Sequence, residues 1–215
     1  MTAQAREILL MNGRCHDLAS LPLAPLLEAR GIDMRALLPG YSTGLYRGYL
    51  GCWELLDGQL YLIGVLDYDC KPFPLDQVFP DRADGGLPLL ADWFTGRLDL
   101  NEGERLAYQH MGWGGISATR HYLYLKQGRL VRQRRCAQAP RLQRCWARAE
   151  RDEPGWQARV KAAEADGLGP LSWLEPAGRR VLGLPPEPAD SNEVDDDYSS
   201  YYQACLQHCR RPATH

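Results

Sequence analysis

Residues 92–131, DWFTGRLDLNEGERLAYQHMGWGGISATRHYLYLKQGRLV, decide how the fold is read. Phe94, Leu98 and Leu100 alternate with Thr95, Arg97 and Asp99, the period of two expected of a half-buried strand. Asn101-Glu102-Gly103-Glu104 is polar, contains glycine and has the length of a hairpin loop, so Leu106–Met111 is expected to return antiparallel. That register pairs Phe94 with Met111 and Leu98 with Ala107 on an apolar face. On the reverse face it pairs Thr95 with His110, Arg97 with Tyr108 and Asp99 with Leu106, gathering Arg97, Tyr108 and His110. A slip of one residue would exchange the faces and scatter the cluster. Gly112-Trp113-Gly114-Gly115 reads as a loop held by a packed Trp113, since neither GxxxxGK[ST] nor GxGxxG occurs. A further hairpin turns at Gln127-Gly128, with Leu125 opposite Leu130 and Tyr124 opposite Val131.

Outward from this stretch, Leu45–Leu66 forms a second organising hairpin around Asp57-Gly58. Its register sets Leu55 against Leu60, Trp53 against Leu62, Gly51 against Gly64 and Tyr49 against Leu66. Glu54 then opposes Tyr61, and Cys52 opposes Ile63. Both faces are mostly apolar, which makes the hairpin central and puts the Glu54 carboxylate in need of a partner, Tyr61 or Arg47. Glu7–Met11 reads as a short strand ending in the Asn12-Gly13 turn, and Pro22–Arg30 as a helix with Ser20 as cap and Gly31 as stop. Gly40–Gly44 reads as loop. Asp67–Leu90 is proline-rich and irregular, with one helical turn expected at Leu75–Phe79.

Arg129–Arg151 carries eight arginines and one acid, Glu150, the strongest charge asymmetry in the chain. An acidic protein or the chain's own acidic stretch (Glu187 to Asp197) suits it better than nucleic acid, because the net charge is −2. Glu153–Ala165 reads as helix, residues 167–190 as a Pro/Gly linker, and Asn192–Cys209 as a final helix with acids first and Arg210-Arg211 last. The 215 residues and 45% hydrophobic content suffice for one full core. No run of about 18 apolar residues suggests a membrane span, and MTAQAREILLMNGR lacks the apolar centre of a signal peptide, so a cytoplasmic location is expected. The seven cysteines, an odd number without paired spacing, are then expected to be reduced. Cys205, His208 and Cys209 share a helical face, but no second ligand pair accompanies them, so neither metal nor cofactor is expected.

RGYLGCWELLDGQLYLIGVL followed by ADWFTGRLDLNEGERLAYQHMGWGG resembles a family of small uncharacterised bacterial proteins with the frame RGYxxxWExxxxLYL, DWFxGxL and HMGxG. The likeness runs from Arg47 to about Val131, with EILLMNG and LAPLLEARGI also similar. It implies a bacterial protein and transfers no catalytic residue. Bacterial orphan domains of this size often look like immunity proteins that neutralise a toxin, an analogy with the general class.

These readings converge on an α+β protein, its predominantly antiparallel sheet built from hairpins, with an N-terminal helix and C-terminal helices packed on it. Residues 1–131 form a β-rich core domain, and residues 132–215 supply the arginine-rich segment, helices and linker packed on it as one domain. The expected function is non-catalytic protein binding, with an immunity protein as the concrete form and Arg47, Tyr68, Trp113, Arg134, Arg135, Arg144 and Trp146 as contact candidates. The alternative is a hydrolase or transferase acting on a small molecule through Glu54, Asp92, Arg97, Tyr108 and His110.

Overall fold

Three two-residue turns set the framework. Asn12-Gly13 (φ 52° and 71°), Asp57-Gly58 (51° and 73°) and Gln127-Gly128 (48° and 72°) all have positive φ at both positions. This is the backbone of a type I′ turn, whose twist matches that of the strands it joins. The computed structural model describes residues 3–38, 40, 42–73, 75, 78–80, 87–108, 113–153, 155–158, 162 and 174–184. In chain order the strands are β1 (Glu7–Met11), β2 (Arg14–Leu18), β3 (Leu50–Leu56), β4 (Gln59–Leu66), β5 (Leu89–Leu90), β6 (Gly96–Ala107), β7 (Ile116–Lys126) and β8 (Arg129–Ala137). The helices are α1 (Ala24–Arg30), α2 (Met34–Leu37), α3 (Ala139–Asp152) and α4 (Pro176–Leu182), with a 3-10 turn at Thr43–Leu45.

The protein is α+β, and its sheet closes on itself. The strand order is β3-β1-β2-β6-β7-β8-β4-β5, and β3 also pairs with β4, giving a seven-stranded barrel with β5 added to β4. All pairings are antiparallel except β1 with β3. Two seams are thin: β2 meets β6 only at Leu18↔Leu100, and β4 meets β8 only at Gln59↔Arg129. Leu9, Leu18, Trp53, Leu60, Leu62, Leu98, Leu100 and Leu123 are fully buried in one core cluster, joined by Leu27 of α1 and Met34 of α2.

The expected hairpin loop at Asn101–Glu104 is absent: β6 runs straight through it, with Glu102 paired to Thr119 of β7. Gly103 (φ 78°) instead serves an irregularity in the register between Glu102 and Arg105. A bulge glycine and a turn glycine have the same local composition, and pairing with β7 decides between them. Arg97 consequently faces Tyr124, not Tyr108. Leu55↔Leu60, Trp53↔Leu62, Glu54↔Tyr61 and Leu125↔Leu130 are as expected. Beyond these pairs a shift in each hairpin moves the register, so Gly51 meets Val65, Cys52 meets Gly64, Leu50 meets Leu66, and Tyr124 meets Arg132.

Helix placement also differs. Gly31 (φ 66°) stops α1 as expected, but Ser20 does not cap it; its hydroxyl accepts the Asp99 N–H at 2.9 Å. The arginine run divides into β8 and α3, whose Leu142 and Trp146 supply the buried side among the arginines. Only part of the Glu153–Ala165 segment is described, with helix at residues 156–158, and Asn192–Cys209 lies outside the described residues. Leu142 and Trp146 pack with Leu106, Ala107, Leu174 and Ala177 in a second cluster, with Trp156 against it. There α4 lies so close to β6 that a Cβ on Gly178 would overlap the Leu106 carbonyl oxygen. Gly178→Ala is expected to cost about 1–3 kcal/mol, read as a lower urea midpoint with unchanged slope. Cys15, Cys70, Cys136 and Cys145 are free, whereas buried Cys52 is disulfide-bonded, which overturns the reduced expectation at that position. Among the described residues no helix is long and apolar enough to cross a membrane.

Candidate functional site

Strands β6, β7 and β8 form one wall of the barrel, and strand alternation gives that wall two different faces. Leu98, Leu100, Leu123 and Leu125 point into the core. The intervening residues point outward and meet across the strands as Arg97↔Tyr124, Asp99↔Tyr122 and Asn101↔Arg120. The next strand extends the rows, as Tyr122↔Arg134 and Tyr124↔Arg132. The bulge that leaves Val131 64% exposed shifts the later residues of β8 by one, bringing Arg132 and Arg134 onto the tyrosine rows.

On this outer face Arg97 grips Asp99 with two bonds, Nε to Oδ1 at 2.6 Å and Nη2 to Oδ2 at 3.1 Å. Arg120 Nη2 reaches the same Oδ2 at 3.4 Å. The Asp99 carboxylate raises the Arg97 guanidinium further above its ordinary value. Arg97 also lies over the Tyr122 ring at 4.7 Å, and Arg132 lies over Tyr124 at 5.6 Å. Among the described residues no carboxylate pairs with Arg132 or Arg134. The result is an array of four arginines and two tyrosines around one nearly buried aspartate. Arginine and tyrosine combine planar contact area with directed donors, and both are favoured anchors in interfaces.

The other expected site residues separate. Arg134 is on the outer face, but its neighbour Arg135 is on the inner one, where Nε donates to Glu102 Oε2 at 3.0 Å. Arg144 is exposed on α3, while Trp146 is buried and packs edge-on to Trp156 at 6.2 Å. Arg47 turns inward, donating to the Ala5 carbonyl at 2.8 Å and approaching Glu7 at 3.6 Å, so it does not serve Glu54. The Tyr61 hydroxyl donates to Gln59 Oε1 at 2.5 Å. Tyr68 is exposed in the turn after β4, and Asp92 lies in the turn after β5. Trp113 is half-buried, and its carbonyl accepts from Arg6 at 3.4 Å. Tyr108 follows directly after β6, with the Arg105 guanidinium 5.3 Å from its ring centre. It is eleven residues along the strand from Arg97, about 35 Å at strand rise. His110, like Cys205, His208 and Cys209, lies outside the described residues.

Arg132 belongs to the arginine run expected to make contacts, whereas Arg120 and Tyr122 on the outside, and His16, Glu102 and His121 on the inside, are not among the expected site residues. The alternation in TRHYLYLK is the signal that could have paired Tyr122 with Tyr124 on one face. Nothing local shows which residues of β6 and β8 lie beside them. Comparison with protein-family models, curated proteins and solved structures finds no match.

Proposed function

We propose that this bacterial protein is a non-catalytic binding protein that covers an acidic surface of a partner protein, in the manner of an immunity protein neutralising a toxin. The observation that carries the reading is the outer face of β6–β7–β8, where Arg97, Arg120, Arg132 and Arg134 surround Tyr122 and Tyr124. A rigid sheet face presents these side chains at little entropic cost, and two arginines stacked on tyrosines are already oriented. Arg132 and Arg134 are the groups left to meet carboxylates from outside.

Native bacterial lysate passed over the immobilised protein tests the reading, with the Arg132→Glu/Arg134→Glu double variant run beside it. One protein retained at a fixed stoichiometry by the original chain and lost by the variant is expected. Reversing two interface charges should weaken binding by about a hundredfold or more and make the remainder insensitive to added salt. Equal retention by both forms, or retention of nucleic acid alone, refutes the proposal.

A further inference from the structure

The inner face of the same wall carries polar side chains where leucines would close a barrel. His121 is fully buried, with Nδ1 2.8 Å from Glu102 Oε1 and Nε2 3.1 Å from Gln133 Oε1. Arg135 joins them, its Nε 3.0 Å from Glu102 Oε2 and its Nη2 3.4 Å from Oε1. Burial by itself would raise the Glu102 carboxyl, but the bonds from Arg135 and His121 outweigh it and hold the group below its ordinary value. Only His121 is fully buried; Glu102 is partly exposed and Arg135 is 57% exposed, so the network runs from the barrel interior out to solvent. Every member of this network is nevertheless fixed in position by another.

Above the network opens a cavity of about 800 Å³, within the size range of small-molecule sites. It exists because β2 and β6 share only Leu18↔Leu100 and part from there. Arg14 and His16 line it from β2, Asn101 and Glu102 from β6, and Arg135 from β8. The cations and anions are not evenly matched. Glu102 is committed to His121 and Arg135, and Asp17, also on the lining, stands 3.8 Å from Arg6. Arg14 pairs with no carboxylate among the described residues. His16 is held below its ordinary value, chiefly by burial, so it is uncharged at neutral pH and able to hydrogen-bond without adding charge.

We propose that this cavity binds a small organic anion, its oxyanion head group held by Arg14 and hydrogen-bonded by His16, above the rigid Glu102–His121–Arg135 network. A carboxylate and a phosphate share the chemistry that Arg14 would recognise. The cavity lining includes none of Arg97, Arg120, Tyr122, Tyr124, Arg132 and Arg134 of the protein-binding surface proposed above, so either can fail without the other.

The test is a titration of the isotopically labelled full chain with succinate and, separately, with inorganic phosphate, followed by backbone amide shifts. Saturable shifts at Asn12–His16 and Asn101–Gly103 with at least one probe are expected, and the probe that binds identifies the head group. Arg14→Ala should weaken that binding at least about tenfold, as loss of a charged hydrogen bond implies, and His16→Ala about fivefold. Arg134→Ala, on the outer face, should leave it unchanged. Absence of saturable shifts with both probes overturns the proposal. So does binding that Arg14→Ala leaves intact, or shifts centred on the outer arginines.

Discussion

Unfolding free energy is expected to fall by about 3 kcal/mol between pH 4.5 and pH 7.5 in a way that Glu7→Gln abolishes. Glu7 is fully buried on β1, pointing into the barrel beside Leu9 and Met11. Burial raises its carboxyl from 4.5 to about 7, against the opposing pull of Arg47, of the Trp53 indole and of the Gly51 backbone. In the unfolded chain the group ionises near 4.5, whereas in the folded chain it keeps its proton to about 7. Its contribution to stability is therefore complete below 4.5, declines as the pH rises through that interval, and is spent above about 7. Other groups also titrate there, so the quantity to measure is the difference between the two proteins across a pH series of urea unfolding curves. Glutamine imitates the protonated acid and leaves that difference to Glu7 alone. A difference constant with pH would mean that the carboxylate is as well accommodated as the acid.

Trp53→Ala is the second large effect, expected to cost about 4–5 kcal/mol or to prevent folding. The indole is fully buried, lies 6.5 Å from the Trp93 ring, and donates its N–H to Glu7 Oε2 at 2.6 Å. Removing it leaves a cavity and deprives a buried carboxylate of its side-chain hydrogen bond, with Glu7 Oε1 already accepting none among the described residues. Trp53→Phe separates the two losses. It keeps most of the ring volume, gives up the bond, and should cost about 1–3 kcal/mol at pH 8. At pH 5 the cost should be smaller, because a protonated Glu7 loses less when the donor is removed. A phenylalanine variant equally destabilised at both pH values would show that the indole acts by packing alone. Gly51 belongs to the same arrangement, since a Cβ there would stand 2.7 Å from both Glu7 Oε2 and the Trp53 indole nitrogen.

What could be read in advance was whatever a short stretch of chain settles for itself. The Asn-Gly, Asp-Gly and Gln-Gly turns fix two residues of backbone, and the pairs next to them, Leu55 with Leu60 and Leu125 with Leu130, follow by counting. The count fails at the first bulge, which is why Tyr124 was expected opposite Val131 and lies opposite Arg132. For the candidate interface, Arg134 was legible as a basic residue, and Tyr124 as a strand residue. That they share a face with Arg97 depends on β6 running through Glu102–Glu104, a segment whose composition equally suits a loop. Arg135 is exposed, as is Arg134, but adjacent strand residues face opposite ways, and Arg135 turns to Glu102 beside His121 of β7.

The sequence alone therefore determined an α+β chain, the hairpins at Asp57-Gly58 and Gln127-Gly128, the Gly31 stop of α1 and the leucine positions of the core, because turn chemistry and period-two burial act between near neighbours. The tertiary structure alone decided the closure through β1–β3, β2–β6 and β4–β8, and the mouth where Glu102, His121 and Arg135 meet. It also decided the burial of Glu7 against Trp53, 46 residues away. These pairings join segments far apart in the chain, and their free energy appears only once the barrel has brought the partners together, so no local spacing records them.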